Sequence, residues 1–139
     1  MAKLTPQMVE VITAGRVAHL TTLNPDGSPQ MSVVWVGVDD GEIVIGHLMG
    51  GRKVQNIRRD PRVALTIEAD GANPVGMVHY LAIYGTARLS DGGAPELLQR
   101  LAQVYVGPGV TFPPMDDPPA GHVIHITPER FAGLGPWTA

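Results

Sequence analysis

The stretch Val17-Ala18-His19-Leu20-Thr21-Thr22-Leu23-Asn24-Pro25-Asp26-Gly27-Ser28-Pro29-Gln30-Met31-Ser32-Val33-Val34-Trp35-Val36-Gly37-Val38 decides the fold class. Two runs rich in β-branched and apolar residues, 17–23 and 30–38, flank Asn24-Pro25-Asp26-Gly27. There proline presets φ and glycine accepts positive φ, so the four residues read as a turn. Asp39-Asp40-Gly41 closes the second run and leads to a third, 42–48. Two such turns between apolar runs predict an antiparallel meander.

Working outward, strands resume over 62–69 and 77–89, and a last one spans 122–127, followed by a tail with Trp137 near its end. Helices are predicted on either side of and between these runs. Residues 5–15 carry Thr5 as a cap, Pro6 at the first helical position and Gly15 at the end, with Met8, Val11 and Ile12 on one face. Residues 50–60 form a second short helix that Pro61 ends, and 94–106 a third, with Leu97, Leu98, Leu101 and Tyr105 at helical spacing. Residues 107–121 hold five prolines and three glycines and read as a long loop or lid. Six strands and three short helices in 139 residues favour a mainly β architecture, a small antiparallel barrel with helices packed outside, as a single domain over 1–139.

Composition removes several function classes. The chain has no cysteine, which excludes disulfides, thiolate nucleophiles and zinc–thiolate sites together. Ten basic and thirteen acidic residues give a net charge of −3, so the overall positive field that gathers nucleic acid or an anionic membrane is absent. No run reaches the ~20 apolar residues of a membrane span, and Met1-Ala2-Lys3-Leu4-Thr5-Pro6 lacks a signal-peptide stretch; a cytoplasmic protein is the expectation. Of five histidines only His122 and His125 are close in sequence, and residues three apart on a strand face opposite sides, so no metal site is expected. Ser28, Ser32 and Ser90 have no base nearby in sequence, and there is no Gly-x-Ser-x-Gly elbow. Gly46 to Lys53 fails as a phosphate-binding loop, because Arg52 stands where lysine is required.

What stands out is Gly50-Gly51-Arg52-Lys53-Val54-Gln55-Asn56-Ile57-Arg58-Arg59. With Arg62 it holds five of the ten basic residues. Two glycines free backbone N–H groups ahead of a helix whose N-terminus carries partial positive charge, with two cations in its first turn. Anion binding, of a phosphate above all, fits this pattern; the competing reading is a solvated helix face with scattered ion pairs.

Pro25-Asp26-Gly27-Ser28-Pro29-Gln30-Met31-Ser32, Arg52-Lys53, Asn56-Ile57-Arg58-Arg59-Asp60-Pro61-Arg62 and Tyr84-Gly85-Thr86-Ala87-Arg88-Leu89 together resemble the split-barrel flavin/deazaflavin oxidoreductases related to pyridoxamine 5′-phosphate oxidase. Thr127-Pro128-Glu129-Arg130 with Gly135-Pro136-Trp137 resembles the actinobacterial subgroup that uses coenzyme F420. The resemblance implies a six-stranded, FMN-binding-like split barrel that forms a homodimer with two cofactor sites at the subunit interface. It implies that Lys53 grounds the cofactor phosphate, aided by Arg52 and Asn56. Gln30, Ser32, Val33 and Val34, with His47, Leu48, Met49, Gly50 and Gly51, would line the ring and ribityl chain. His79 and Tyr80, contributed by the other subunit, resemble positions that close the pocket and are the proton-donor candidates. Two departures stand out: Gln55 where relatives carry a second basic residue, and Gly51 where relatives carry arginine. By that resemblance both weaken the contacts to the cofactor tail.

The resulting expectation is an F420-dependent reductase that passes hydride to an unsaturated small-molecule substrate. The cofactor supplies the chemistry and the protein supplies orientation and charge neutralisation. The alternatives are an FMN-dependent flavin reductase or oxidase of the same fold, and a non-catalytic cofactor or tetrapyrrole binder. Among the remaining residues, Trp35 reads as core or interface, Tyr80 and Tyr84 share one strand face with a barrel-interior role as open as catalysis, and Trp137 pins the tail.

Overall fold

A computed structural model of the chain describes residues 2–138. Helix α1 (Pro6–Ile12) precedes strands β1 (Ala18–Leu23), β2 (Pro29–Val34), β3 (Gly37–Asp39) and β4 (Glu42–His47). Helix α2 (Arg52–Arg59) follows, then β5 (Arg62–Ala72), β6 (Val78–Asp91), helix α3 (Ala94–Tyr105) and β7 (His122–Leu134). All strand pairs are antiparallel, in the order β2-β1-β5-β6-β7-β4-β3.

The expected six strands are seven, because the run 30–38 breaks at Trp35-Val36. β2 pairs with β1, whereas β3 pairs with β4 at the opposite edge of the sheet. One continuous stretch of chain therefore joins the two sheet edges and closes the barrel. The turns are as the sequence predicts. The Gly27 amide donates to the Asn24 carbonyl at 2.8 Å, and Asp26 accepts from the Ser28 amide and hydroxyl at 3.0 and 2.6 Å. Between β3 and β4 the two-residue turn Asp40-Gly41 has positive φ at both positions, the backbone twist that a tight antiparallel hairpin needs.

The last strand runs to Leu134, beyond the expected end at 127: Pro128 stays in register with Gly85, and a bulge at Glu129, before Arg130 pairs with Tyr84, lets the ladder continue. At this bulge a Cβ on Gly85 would lie 2.2 Å from the Thr127 carbonyl oxygen, so only glycine allows the strands to approach. Trp137 pins the tail as expected, its indole N–H donating to the Tyr80 carbonyl at 3.0 Å.

Period-two alternation fills the barrel. Leu20, Ile43, Ile45, Leu65, Ile67, Leu81, Ile83, Ile124 and Ile126 are all fully or almost fully buried inside it. α1, capped by Thr5 through the Met8 amide, inserts Met8 and Ile12 into this core. α3 covers the outside of β4 and β7, where Leu97 and Leu101 pack on Val44 and Val123. α2 seats Ile57 in the barrel core and turns its polar N-terminal half toward the site described next.

Tyr80 and Tyr84 correct one reading. They face outward, 43% and 39% exposed, and have no barrel-interior role. They share the uncovered outer face of the sheet with Met31 and Val33, both more than half exposed. No helix among the described residues is long and apolar enough to cross a membrane.

Candidate functional site

Helix α2 forms because Val54 and Ile57, one turn apart, bury one edge while Arg52, Gln55 and Arg58 stay exposed. Gly51 is its N-cap and supplies no side-chain hydrogen bond, so the first-turn amides keep their positive partial charge for another partner. The backbone at Gly51 is extended, which any residue adopts. The glycines matter here through space: a Cβ at Gly50 would meet nothing, and one at Gly51 only His47 Nε2 at 3.6 Å.

A cleft of about 380 Å³ opens beside this helix entry. The end of β2 and the chain just after it give one wall, with Val33, Val34 and Trp35. The end of β4 and the residues after it give the other, with Gly46, His47, Leu48 and Met49. Lys53 enters from α2, Leu98 from α3 and Phe112 from the loop that follows α3. The cleft thus sits where the chain leaves β2 and changes sheet edge, the place at which the barrel wall is split.

Its electrostatics are unusual for a protein of net negative charge. Lys53 donates one long hydrogen bond, 3.3 Å, to the Ser32 hydroxyl, and burial lowers its pKa from the usual value. His47 also titrates below its ordinary value, through burial first and then the charges of Lys53 and His122. Its Nε2 is buried without a hydrogen-bond partner. His122, its direct partner across the strands, lies with Nδ1 3.2 Å from the Asp91 carboxylate, off the direction of a hydrogen bond. None of the lining residues is acidic. A half-buried cation without a carboxylate, an unpaired imidazole nitrogen and an uncapped helix start converge on one apolar cleft. These residues fit a ligand with a phosphate and a flat apolar body.

The predicted site residues separate into those that meet here and those that do not. Val33, Val34, His47, Leu48, Met49 and Lys53 line the cleft together, Ser32 holds Lys53, and Gly50-Gly51 lead into the helix. Arg52 is exposed at the first helical position. Gln30 is engaged elsewhere, accepting from the Thr22 hydroxyl at 2.8 Å and donating to the Met31 carbonyl at 3.1 Å.

Asn56 requires a correction. Its side chain is fully buried, donates to Thr22 Oγ1 at 2.9 Å and Asn24 Oδ1 at 3.1 Å, and accepts from the Arg59 guanidinium. It locks α2 to β1 and the first turn and does not reach the cleft surface. Nor do the five clustered cations act as one group. Arg59 bonds the Leu23 carbonyl and Arg62 is paired to Asp60 at 3.0 and 2.7 Å, so these two are satisfied internally, while Arg58 faces solvent.

His79 and Tyr80 lie away from this cleft in the same chain. Tyr80 borders a hollow of about 440 Å³ on the outer sheet face, with His19, Thr66 and Glu68. His79 stands edge-on to Trp137 in another, of about 200 Å³. The first of these is larger than the cleft at Lys53 but is lined by no lysine or arginine. His122 and His125 turn to opposite faces of β7, as expected; His125 hydrogen-bonds Ser90 at 2.9 Å.

Sequence reasoning misses two cleft residues, Leu98 and Phe112; Trp35 packs against the cluster of Val44, Leu97, Leu101 and Val123, as its core reading expects, and also lines the cleft. In the sequence Leu98 shows only as part of a helical stripe, and Phe112 is the one aromatic residue of the proline-rich segment.

The pyridoxamine 5′-phosphate oxidase family model matches residues 4–135. The chain belongs to this family. Among solved structures it is similar to an F420 reductase, at 26% identity over 92% of this chain and 98% of the other, with a TM-score of 0.73. A conserved hypothetical protein from Mycobacterium tuberculosis matches at 22% identity over 100% and 96% of the two chains, with a TM-score of 0.70. A heme binding protein from Mycobacterium smegmatis matches at 20% identity over 98% of this chain but 57% of its own, with a TM-score of 0.62. The barrel of this pyridoxamine 5′-phosphate oxidase relative is therefore the expected flavin/deazaflavin-oxidoreductase type, and the cleft at Lys53 is built on it.

Proposed function

We propose that the protein is an F420-dependent reductase that works as a homodimer and reduces an unsaturated small molecule. The observation that carries this reading is Lys53: a partly buried ammonium with a neutral hydroxyl as its hydrogen-bond partner, facing an apolar cleft at an uncapped helix start. The likeness to an F420 reductase favours the deazaflavin over FMN.

When bound, the reduced deazaflavin supplies a hydride. Lys53 and the first-turn amides of α2 hold the anionic group, and Ser32 fixes the direction of the ammonium. Val33, Leu48 and Met49 give the cleft an apolar lining, and the second copy, by covering the exposed Val33 and Met49, would exclude water and strengthen the charge contacts inside. Reduction of an activated double bond adds hydride to one atom and a proton to the other. The proton comes from Tyr80 or His79 of a second copy of the chain, or from water.

The second copy is expected on the uncovered sheet face. There Met31, Thr21, Ala64 and Tyr84 run in one cross-strand row, with Val33, Val78 and Tyr80 exposed beside them.

Parallel fluorescence titrations with F420 and FMN, with sedimentation of the same protein, test this reading. Saturation by F420, weak FMN binding, a dimeric mass and turnover of reduced F420 with an enone are the expected results. Tight FMN binding alone moves the protein to the flavin branch, and F420 binding without turnover makes it a carrier. Binding of neither removes the functional reading.

A further inference from the structure

A proline-rich connection of this length is ordinarily held by little besides its ends. Here two glutamines of α3, one helical turn apart and so on one face, clamp it with both ends of their amides. Gln99 donates from Nε2 to the Val110 carbonyl at 2.8 Å and accepts from the Phe112 amide at 2.6 Å. Gln103 donates to the same carbonyl at 2.9 Å and accepts from the Gly109 amide at 2.8 Å.

The clamp sets Phe112 against Trp35, with ring centres 5.1 Å apart and planes inclined at 51°. Trp35 in turn stacks on Tyr105 at 5.2 Å and 12°. The Tyr105 hydroxyl closes the column, donating to the Arg16 carbonyl at 2.7 Å and accepting from the Val36 amide at 3.1 Å. The column Phe112–Trp35–Tyr105 is therefore anchored at both ends, by a glutamine side chain at Phe112 and by backbone groups at Tyr105, and two of its three rings line the cleft.

We propose that Phe112 is a specificity-determining residue: held against Trp35 by Gln99 and Gln103, it forms a fixed aromatic wall that selects a flat, uncharged ring compound as the acceptor. This rests on the reading of the cleft as the site of cofactor and acceptor. The ionisable lining residues are His47 and Lys53, and the anionic group of the cofactor engages them. The lining left for the acceptor is apolar, so a charged acceptor would lose its hydration without a partner. Flat rings gain the most from an aromatic wall, and a wall already ordered before binding adds no ordering cost.

The probes are two uncharged ketones, flat 2-acetylnaphthalene and cage-shaped adamantan-2-one. Quenching of Trp35 emission by the first, and its displacement by the second, are followed in a Trp137→Phe background, with F420 and FMN titrated alongside. We expect saturable binding of 2-acetylnaphthalene, about tenfold tighter than the cage ketone, the size of one aromatic contact. Phe112→Leu, which keeps bulk and loses the ring, removes that preference. The double variant Gln99→Ala/Gln103→Ala loses it as well, although Phe112 is still present.

An unchanged preference in Phe112→Leu, or in the double variant, overturns the proposal. If a cofactor binds while the preference ignores Phe112, the cofactor reading stands and the wall falls. If the preference follows Phe112 while neither cofactor binds, the wall stands and the cofactor reading falls.

Discussion

The two ends of helix α2 carry the same kind of side chain and have opposite fates. At its C-terminal end Arg59 is bonded to a carbonyl and to Asn56, and Arg62 just beyond is paired with Asp60, whose carboxyl is pulled down to about 2 mainly by the Arg62 hydrogen bonds. At the N-terminal end Lys53 has the Ser32 hydroxyl and no carboxylate, and burial makes its charge costly. Cations near a C-terminus also oppose the negative end of the helix dipole, whereas a cation at the N-terminus adds to its positive end. The first arrangement completes itself, and the second is completed by an anion from outside. A basic run is thus informative only once its satisfied members are subtracted.

The strongest test of that comparison removes Lys53. Lys53→Ala should weaken cofactor binding by about 1.5–3 kcal/mol, the range of a charge-assisted hydrogen bond, or roughly 10- to 150-fold in Kd. Because the ammonium is unpaired in the free protein, Lys53→Met should leave thermal stability unchanged or raised. Fluorescence titration and a melting curve on the same samples check both halves. Affinity equal to wild type would return Lys53 to a solvated helix face.

Asn56→Ala tests the joint between the two ends. It removes the buried amide that Thr22, Asn24 and Arg59 each bond, at a cost of about 1–3 kcal/mol in stability read by denaturant unfolding. Its effect on cofactor affinity should be smaller than that of Lys53→Ala, since Asn56 does not reach the cleft. A variant with full stability and lost affinity would place Asn56 at the ligand instead.

The legibility of these parts in the sequence followed their distance along the chain. Alternating apolar residues and turn residues are local signals, so the strands, the Thr5 cap and the turn at Gly27 were readable. The break of 30–38 into two strands was not, because it depends on which sheet edge each half finds. The same holds for the extension of β7 past Pro128, which a bulge permits. In the cleft, Lys53, His47, Leu48 and Met49 lie on one continuous strand–loop–helix segment, so the sequence already groups them. Leu98, Phe112 and the glutamine clamp come from elsewhere in the chain, and only packing brings them to the cleft. Asn56 was misread for a related reason: a polar residue beside two cations gives no sequence sign that its amide is buried against β1.

Acid should separate the cleft from the rest of the molecule. The folded pKa of His47 is depressed below the ordinary 6.5, chiefly by burial, and that of His125 is also lowered, by burial and then Arg88. As pH falls through 6.5 toward each folded value, the unfolded chain binds more protons than the folded one, so stability declines across that window and levels off below it. Melting temperature between pH 7 and pH 5 should drop, and less so in His47→Gln. A bound anion beside Lys53 should also reduce the drop for wild type, by favouring the charged imidazole. An identical drop with and without His47 would remove it from this account.

The smallest expected effect is at the completed end of the helix. Arg62→Ala breaks the pairing with Asp60, so the Asp60 carboxyl should titrate nearer its ordinary 3.8 than the value of about 2 it has when paired. The contribution of that pair is present in full above pH 3.8 and is lost as pH falls through 2, so Arg62→Ala costs its small share of stability at neutral pH and nothing in strong acid. Cofactor affinity at pH 7 should match wild type, because Arg62 lies beyond the helix end and faces a carboxylate of its own. A loss of affinity in Arg62→Ala comparable to that in Lys53→Ala would mean that the cations act as one diffuse positive field. Raised salt would then weaken binding in wild type far more than one shielded contact allows, since exposed charges are screened within about 10 Å at 0.1 M ionic strength and buried ones much less.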